Sequence, residues 1–190
     1  MEIPAGATQI YDEGIGAFTE EELDRLVAYC DALPIERAPL NGKTGTRYDD
    51  AIRVTQVSSV RQAPDIMWLY ERLAAIVHGF NNRSFQFDLR GFSEPPQYMV
   101  YRDADGGHFD WHMDTGPIPP RKLSLTLQLT DPAHYQGCQL QFNTGTGIVA
   151  APSNRGAAIA FPSYMMHRVT PITSGTRRAL VAWVTGPRFK

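Results

Sequence analysis

The spacing of apolar residues in the first part of the chain predicts helices. One apolar face recurs at helical spacing through Leu23, Leu26, Val27, Cys30 and Leu33. Thr19 and Glu22 stand where a capping box would begin this helix, and Pro34 would end it. A second apolar face predicts a helix over Pro64–Phe80. Both helices are expected to cover a core.

The second half of the chain alternates between apolar and polar residues, which is typical of strands. In the clearest case, residues 123–130, leucines alternate with serine, threonine and glutamine. Further strands are predicted at Ile52–Val60, Phe85–Leu89, Gln97–Arg102, Phe109–Asp114, Cys138–Phe142, Gly147–Ala150, Ala157–Phe161, Met166–Thr170 and Arg177–Val184. This order favours one mainly β domain of the α+β class, in which helices back a double-sheet sandwich. We expect helical support over about residues 1–90 and a β core over about 91–190.

Composition and charge narrow the class of protein. A length of 190 residues, with 43% hydrophobic and 20% charged residues, fits one soluble globular domain. A net charge of −2 argues against a general nucleic-acid-binding protein. No apolar run approaches the length of a membrane span, and Met1–Ile10 lacks the features of a signal peptide. With two separated cysteines, Cys30 and Cys138, these observations indicate reduced thiols and a cytoplasmic protein.

Two His-x-Asp triplets follow one another in a predicted strand, His108-x-Asp110 and His112-x-Asp114. Because strand side chains alternate, each triplet would present an imidazole and a carboxylate on one face. A second His joining such a pair makes the three-ligand face of non-haem Fe(II) oxygenases, and His167 lies in a later predicted strand. The period of two places all four triplet residues on the same face. It therefore leaves open which triplet would bind the metal.

The C-terminal third carries cations and no carboxylates. No Asp or Glu follows Asp131, whereas this segment contains Arg155, Arg168, Arg177, Arg178, Arg188 and Lys190. Strands and turns are poor in acidic residues in any case, so the asymmetry also fits a purely structural origin. Arg177 begins a predicted strand shortly after His167. Its planar fork can hold a carboxylate through two parallel bonds, which suits a 2-oxo diacid bound beside a metal.

Several spaced motifs occur in order between residues 97 and 187. They are Tyr101, Gly106 with Phe109, His112-Met113-Asp114, Arg121-Lys122-Leu123-Ser124, Asp131-Pro132, Tyr135-Gln136-Gly137-Cys138-Gln139-Leu140, Phe161-Pro162, His167-Arg168-Val169-Thr170-Pro171, Gly175-Thr176-Arg177 and Trp183. This segment resembles the Fe(II)/2-oxoglutarate dioxygenases, and within them the prolyl 4-hydroxylase-like branch that includes bacterial PKHD-type hydroxylases. The resemblance implies a double-stranded β-helix, a jelly roll of cupin-like architecture, with helices packed outside. It also implies conversion of 2-oxoglutarate and O2 to succinate and CO2, coupled to hydroxylation of an unactivated C–H bond.

The resemblance also implies roles for individual residues. In the family, a glycine and an aromatic residue precede the liganding His, which selects His112 and Asp114 and adds His167 as the third metal ligand. Arg177 would hold the far carboxylate of the co-substrate, with Gln128 as its partner. The family pattern adds three further residues at the co-substrate, each of which could equally be a core residue: Tyr101, Val169 and Trp183.

The implied cofactors are Fe(II), 2-oxoglutarate as co-substrate and O2, with ascorbate as a supporting reductant. Peptidyl proline is the expected substrate by family analogy alone. The alternatives are a small-molecule or free amino-acid oxygenase and, in a different class, a non-catalytic jelly-roll module that binds a sugar or other ligand. We expect a monomer or homodimer with no nucleic-acid or membrane partner. Cys138 stands where many relatives have glycine, so a negative φ is expected there, and its thiol would be open to oxidation if it faced the metal.

Two polar segments are expected to border the substrate entrance, although each could be a simple connector. Pro39–Asp50 reads as an exposed loop, and Gly42 and Gly45 would let it close over the substrate. Trp111–Arg121 contains the run Gly116–Pro120, whose prolines would restrict its motion.

Overall fold

Two antiparallel β-sheets face each other, and helices cover the outer face of the larger one. The computed structural model describes residues 11–14, 16–42, 45–115 and 120–188. In this part of the chain the helices are α1 (Glu20–Asp31) and α2 (Met67–Phe80), and α2 continues into a π-helical turn at Asn81–Phe85. The strands are β1 (Asp12–Gly14), β2 (Glu36–Arg37), β3 (Leu40–Gly42), β4 (Gly45–Arg47), β5 (Arg53–Val54), β6 (Gln56–Ser59), β7 (Gly91–Phe92), β8 (Gln97–Arg102), β9 (His108–His112), β10 (Arg121–Gln128), β11 (Tyr135–Gly137), β12 (Leu140–Asn143), β13 (Ile148–Ala150), β14 (Ala158–Pro162), β15 (His167–Val169) and β16 (Ile172–Thr185).

The larger sheet is organised around β16, its longest strand. Its order is β1-β14-β10-β16-β8-β6-β2, and β7 and β11 also pair with β16. The smaller sheet has the order β13-β12-β15-β9-β5, and β3 and β4 form a separate hairpin. This arrangement is the double-stranded β-helix predicted from the sequence, with β5 and β6 extending the two sheets from the N-terminal half. Neither α1 nor α2 has the length and hydrophobicity to cross a membrane.

Helix α1 forms as its sequence predicts. Glu22 N–H donates to Thr19 Oγ1 over 3.2 Å, and Thr19 N–H donates to the Glu22 carboxylate over 2.9 Å, which completes the capping box. Leu23, Leu26 and Cys30 are buried on its inner face. The apolar stripe therefore attaches the helix to the larger sheet, and the acidic first turn serves as its cap.

The alternation along β10 separates two hydrophobic layers. Its leucines pack with α1 and α2 in one core cluster. The opposite face carries Ser124, Thr126 and Gln128, all buried, and points between the two sheets. A second cluster there includes Phe142, Phe161 and Trp183. Because the helices fill only the outer layer, the space between the sheets is left for a cavity.

The strand predicted at Phe85–Leu89 is wrong, because this segment forms the end of the π-helical turn and an irregular stretch. Gln86 has a φ of 51°, which a continuing strand does not adopt. The Asn81 side chain replaces a neighbouring strand: its amide donates to Phe87 C=O and accepts from Phe87 N–H, both over 2.9 Å. Helix α2 begins at Met67, three residues later than the sequence suggested, and no side chain caps it.

The segment Pro39–Asp50 is more ordered than the exposed loop expected from its composition, since it contains the β3–β4 hairpin. Residues 43–44 and 116–119 lie outside the described residues. The closing motion expected around Gly42–Gly45 and the restriction expected in Gly116–Pro120 therefore have no structural counterpart here.

Candidate active site

Three metal-ligating side chains meet at the open end of the smaller sheet. His112 is the last residue of β9, His167 is the first residue of β15, and the two are paired across the strands. Asp114 lies just beyond β9, where its N–H donates to Ser163 C=O over 2.8 Å. Its carboxylate oxygens lie 3.7 Å from His112 Nε2 and 3.6 Å from His167 Nε2. The ligand atoms of these three residues all lie within 4.8 Å of one another.

Backbone carbonyls fix which nitrogen of each imidazole is free. His112 Nδ1 lies 2.7 Å from Asp110 C=O, and His167 Nδ1 lies 2.9 Å from Met165 C=O. A carbonyl oxygen only accepts, so both Nδ1 atoms carry the proton. With Nδ1 protonated, a neutral imidazole presents its Nε2 lone pair toward Asp114. This is the tautomer that a metal-binding histidine needs.

The Asp114 carboxylate is held by a small hydrogen-bond network. Ser124 Oγ donates to Asp114 Oδ2 over 2.8 Å, and Ser163 Oγ lies 3.0 Å from Ser124 Oγ. Burial opposes ionisation of Asp114, but His167, His112, the Trp183 indole and Ser124 together hold its carboxyl pKa below the usual value. The carboxylate is therefore ionised, and among the described residues no Arg or Lys lies within 4.0 Å of its oxygens.

A neutral imidazole accompanies this carboxylate. Burial, with the proximity of His167, lowers the pKa of His112 to about 4, although Asp114 opposes the shift. A neutral imidazole has the lone pair that coordination requires.

An irregularity in the smaller sheet explains why only one His-x-Asp triplet joins the site. Between β15 and β9, His167 pairs with His112 and Val169 pairs with Phe109, so β9 has one extra residue. Such a bulge shifts the alternation and turns His112 to the same side as Phe109. Both line the cavity, whereas His108 and Asp110 do not. The expectation that all four triplet residues share one face is therefore wrong.

Arg177 lies in β16 and is 2% exposed. Its Nη2 and Nε donate to Gln128 Oε1 over 2.8 and 3.2 Å, and its guanidinium lies 5.5 Å from the centre of the Tyr101 ring. No carboxylate among the described residues lies within 4.0 Å of it, in contrast to its neighbour Arg178, which pairs with Asp31. A buried cation without a counter-ion is costly, which makes this position a candidate site for an anionic ligand.

Cys138 contradicts the expectation of a negative φ. Its φ is 51°, and the preceding Gly137 has a φ of 73°. The two residues follow a register shift between β11 and β16, which lies between Gln136 and Gly137, and Cys138 N–H donates to Pro171 C=O over 3.1 Å. The thiol lies 4.0 Å from Arg177 Nη1 and lies outside the cavity lining, so it does not face the three metal-ligating residues. Burial raises its pKa, and Arg177 offsets this only in part, so the thiol is protonated.

One cavity of about 820 Å³ connects these groups. His112, Asp114 and His167 lie on its wall, as does Arg177. The remaining residues that the sequence placed at the co-substrate also border it, namely Tyr101, Val169 and Trp183. Gln128 does not line it and contacts it through Arg177. The two segments expected at the entrance contribute flanking residues, namely Pro39, Leu40, Arg47, Met113 and Arg121.

Comparison with known proteins shows which proteins the segment around this site resembles. Residues 96–185 match the sequence profile of the 2OG-Fe(II) oxygenase superfamily. This match covers 90 of the 190 residues. A PKHD-type hydroxylase of Teredinibacter turnerae is 38% identical over 97 residues, which cover 47% of this chain and 42% of the relative. The chain thus spans about half the length of the named relatives that it matches.

Solved structures of two prolyl hydroxylases share the fold over almost the whole chain. A prolyl-4-hydroxylase from Pseudomonas putida superposes with a TM-score of 0.74 at 20% identity, covering 96% of this chain and 95% of that one. A Trichoplax adhaerens prolyl hydroxylase, solved with a hypoxia inducible factor peptide, gives 0.77 at 15% identity, covering 94% and 84%. At such identities the likeness establishes the fold, including its N-terminal half.

The donor set fits the iron of a 2OG-Fe(II) oxygenase. Two imidazole nitrogens with free lone pairs and one ionised carboxylate form the two-His, one-carboxylate face of non-haem Fe(II) sites. Within the described residues, no other group of three or more His, Cys, Asp or Glu side chains has ligand atoms this close.

Sequence reasoning missed two arginines of this cavity. Arg121 donates to the Glu94 carboxylate over 2.6 and 2.7 Å, and its guanidinium stacks 3.8 Å from the Trp183 ring centre. Arg121 belonged to a family motif, but nothing marked Glu94 as its partner. Arg53 lines the cavity from β5. Because it lies in an edge strand of only two residues, nothing in the sequence indicated a functional role for it.

Proposed function

We propose that this chain is an Fe(II)- and 2-oxoglutarate-dependent dioxygenase that hydroxylates an unactivated C–H bond. The observation that carries the proposal is one cavity containing both the His112, Asp114 and His167 group and the buried, uncompensated cation Arg177. A metal site alone fits many proteins, and a buried arginine alone fits many ligands. Their combination suits a molecule that chelates a metal at one end and carries a carboxylate at the other.

His112, Asp114 and His167 would hold the iron. Bound Fe(II) would supply the activation of O2 that couples decarboxylation of 2-oxoglutarate to C–H hydroxylation. The protein contributes two imidazoles fixed by the Asp110 and Met165 carbonyls and one carboxylate oriented by Ser124. Three ligands on one side leave the opposite side open to the co-substrate and O2.

Arg177 would bind the far carboxylate of 2-oxoglutarate. Gln128 accepts from Nε and Nη2, so the fork is held in one orientation before the ligand arrives. The Tyr101 ring packs beside the guanidinium, and Val169 and Trp183 border the space between Arg177 and the metal ligands. These residues would exclude water around the bound co-substrate and strengthen the charge pair.

Family likeness makes peptidyl proline the first substrate to test. The T. turnerae relative is named a PKHD-type hydroxylase, and both structural neighbours are prolyl hydroxylases, one with a bound peptide. A free amino acid or another small molecule is the alternative. The positive charge of Arg53 in the cavity favours this alternative.

The experiment is an incubation of the purified protein with Fe(II), ascorbate, O2 and 2-oxoglutarate labelled at C1. An oxygenase releases labelled CO2 and forms an equal amount of succinate, and both products depend on iron. A non-catalytic binding module would form neither. Absence of both products from folded, iron-loaded protein at saturating 2-oxoglutarate, with the candidate substrates present, would refute the proposal.

A further inference from the structure

A second arginine of the cavity, Arg53, forms no ion pair within 4.0 Å among the described residues. Arg53 donates through Nη1 to Pro39 C=O over 3.2 Å and through Nη2 to the Met99 thioether over 3.1 Å. Its Nε is buried and has no hydrogen-bond partner. Among the described residues no carboxylate lies within 4.0 Å of its guanidinium; the charge of Asp114 acts on it from a longer distance, and sulfur is a weak acceptor. A charged fork in this setting is unsatisfied in the ligand-free protein.

The other charged groups of the cavity balance one another. Arg121 forms a two-bond pair with Glu94, and Glu36 and Arg47 are exposed residues at the rim. According to the proposed function, Fe(II), Asp114, Arg177 and dianionic 2-oxoglutarate together carry no net charge. Arg53, which is half-buried, is then the cation of the cavity wall that remains, and the balance calls for one additional negative charge.

The position of Arg53 indicates where that charge would lie. Its guanidinium lies 4.5 Å from the centre of the Phe109 ring, and Phe109 stacks on the His112 imidazole with ring centres 3.5 Å apart. One aromatic ring therefore separates the fork from a metal-ligating histidine. An anionic group at Arg53 and a C–H bond near the metal would fit within one small molecule or one terminal residue.

We propose that the substrate to be hydroxylated is a carboxylate, held through its anionic group by the Arg53 fork. The inference rests on the proposed function and makes it more specific. It favours a free amino acid, another small carboxylic acid or a C-terminal residue over proline inside a peptide, whose main chain is neutral. A guanidinium binds a carboxylate through two parallel charge-assisted bonds, and the unpaired Nε–H would supply one of them.

The first test measures binding without turnover. The protein is loaded with Mn(II) and 2-oxoglutarate under argon, and its melting temperature is recorded with each common L-amino acid and with the matching amino-acid amide. N-acetyl-L-prolinamide serves as the neutral peptide-like probe. We expect at least one acid to raise the melting temperature while its amide and the neutral probe do not. Equal effects of acid and amide, stabilisation by the neutral probe alone, or no effect of any acid would overturn the proposal.

Two variants assign the acid preference to a residue. Arg53→Met removes the charge at similar length, and Arg47→Met removes an exposed cation from the rim as the matched control. Loss of one partner of a buried charge pair weakens binding by at least about 30-fold. We expect this loss of acid affinity for Arg53→Met and an unchanged preference for Arg47→Met. Retention of the preference by Arg53→Met would contradict the assignment.

Two further readouts separate this inference from the proposed function and from a structural role. The dissociation constant of 2-oxoglutarate is measured first: if the wild-type protein does not bind it, the proposed function fails, whereas normal binding without acid preference defeats only this inference. A tenfold weaker 2-oxoglutarate affinity in Arg53→Met would assign Arg53 to the co-substrate and overturn the proposal.

The ligand-free Arg53→Met protein should melt no lower than wild type, because an unpaired buried charge does not stabilise the fold. A drop of more than about 4 °C would mark Arg53 as structural and would also overturn it.

Discussion

Gln128 Oε1 accepts two hydrogen bonds from Arg177, from Nη2 over 2.8 Å and from Nε over 3.2 Å. The acceptor is a neutral amide, although a carboxylate at the same place would bind the cation more strongly. The neutral partner orients the guanidinium and leaves its charge available to a ligand. This relationship links the alternation along β10 to co-substrate binding.

A carboxylate in place of the amide should block the co-substrate. In Gln128→Glu the new anion would pair with Arg177 and compete with 2-oxoglutarate, so we expect the dissociation constant to rise at least tenfold. Gln141→Glu is the matched control, because Gln141 Oε1 accepts from Arg168 Nε over 3.0 Å outside the cavity. Isothermal titration with 2-oxoglutarate measures both. Equal affinities in the two variants would show that Arg177 does not hold the ligand.

Removal of Arg177 should affect binding more than stability. Arg177→Met is expected to weaken 2-oxoglutarate binding by about 2–5 kcal/mol, because the ligand carboxylate loses a buried partner. Arg177→Lys should lie between Met and wild type, since an ammonium cannot reproduce the two parallel bonds. Arg178→Lys is the control, because its side chain contacts Asp31 on the outer face. Unchanged co-substrate affinity in Arg177→Lys would mean that another cation holds the carboxylate.

Ser124 should act as a positioning residue for the metal. Ser124→Ala removes the hydrogen bond to Asp114 Oδ2, and loss of such an outer-shell partner costs about 10–100-fold in metal affinity. Mn(II) titration followed by electron paramagnetic resonance measures this affinity without turnover. Ser58→Ala is the control: Ser58 is also buried and donates to Pro34 C=O over 2.7 Å, away from the cavity. Equal Mn(II) affinities in the two variants would remove Ser124 from this role.

Cys138 offers a test of backbone strain beside the co-substrate site. A residue with a side chain at a φ of 51° costs about 1–2 kcal/mol, and glycine avoids this cost. Both Cys138→Ala and Cys138→Gly remove the thiol, but only the glycine variant relieves the backbone. We therefore expect Cys138→Gly to be more stable than Cys138→Ala by about 1 kcal/mol. Urea unfolding compares them, and the opposite order would show that the left-handed conformation is not strained.

Local patterns in the sequence predicted both helices and the central strand β10. The capping box at Thr19 and the alternation along β10 depend on neighbours a few residues away, and both formed as expected. The strand predicted at Phe85–Leu89 failed because Asn81, a residue outside the pattern, satisfies the backbone of Phe87 instead. The alternation of apolar and polar residues reflects which side chains are buried. It does not identify the groups to which the backbone of the segment is hydrogen-bonded.

The residues of the site could not be predicted from the period of apolar and polar positions alone. The bulge in β9 is set by pairing with β15, so the separation of His112 from His108 and Asp110 appears only in three dimensions. The family motif nevertheless selected His112 and Asp114 over the first triplet. Among the described residues Arg53 has no carboxylate within ion-pair distance. No linear pattern in the sequence reveals this.

The most direct test of the central claim is a crystal structure with Mn(II) as a stand-in for Fe(II) and with 2-oxoglutarate. Anomalous scattering should locate one metal ion bound by His112, Asp114 and His167, with the far carboxylate of 2-oxoglutarate on the Arg177 fork. A metal ion bound by His108 and Asp110, or a co-substrate bound away from Arg177, would contradict the account.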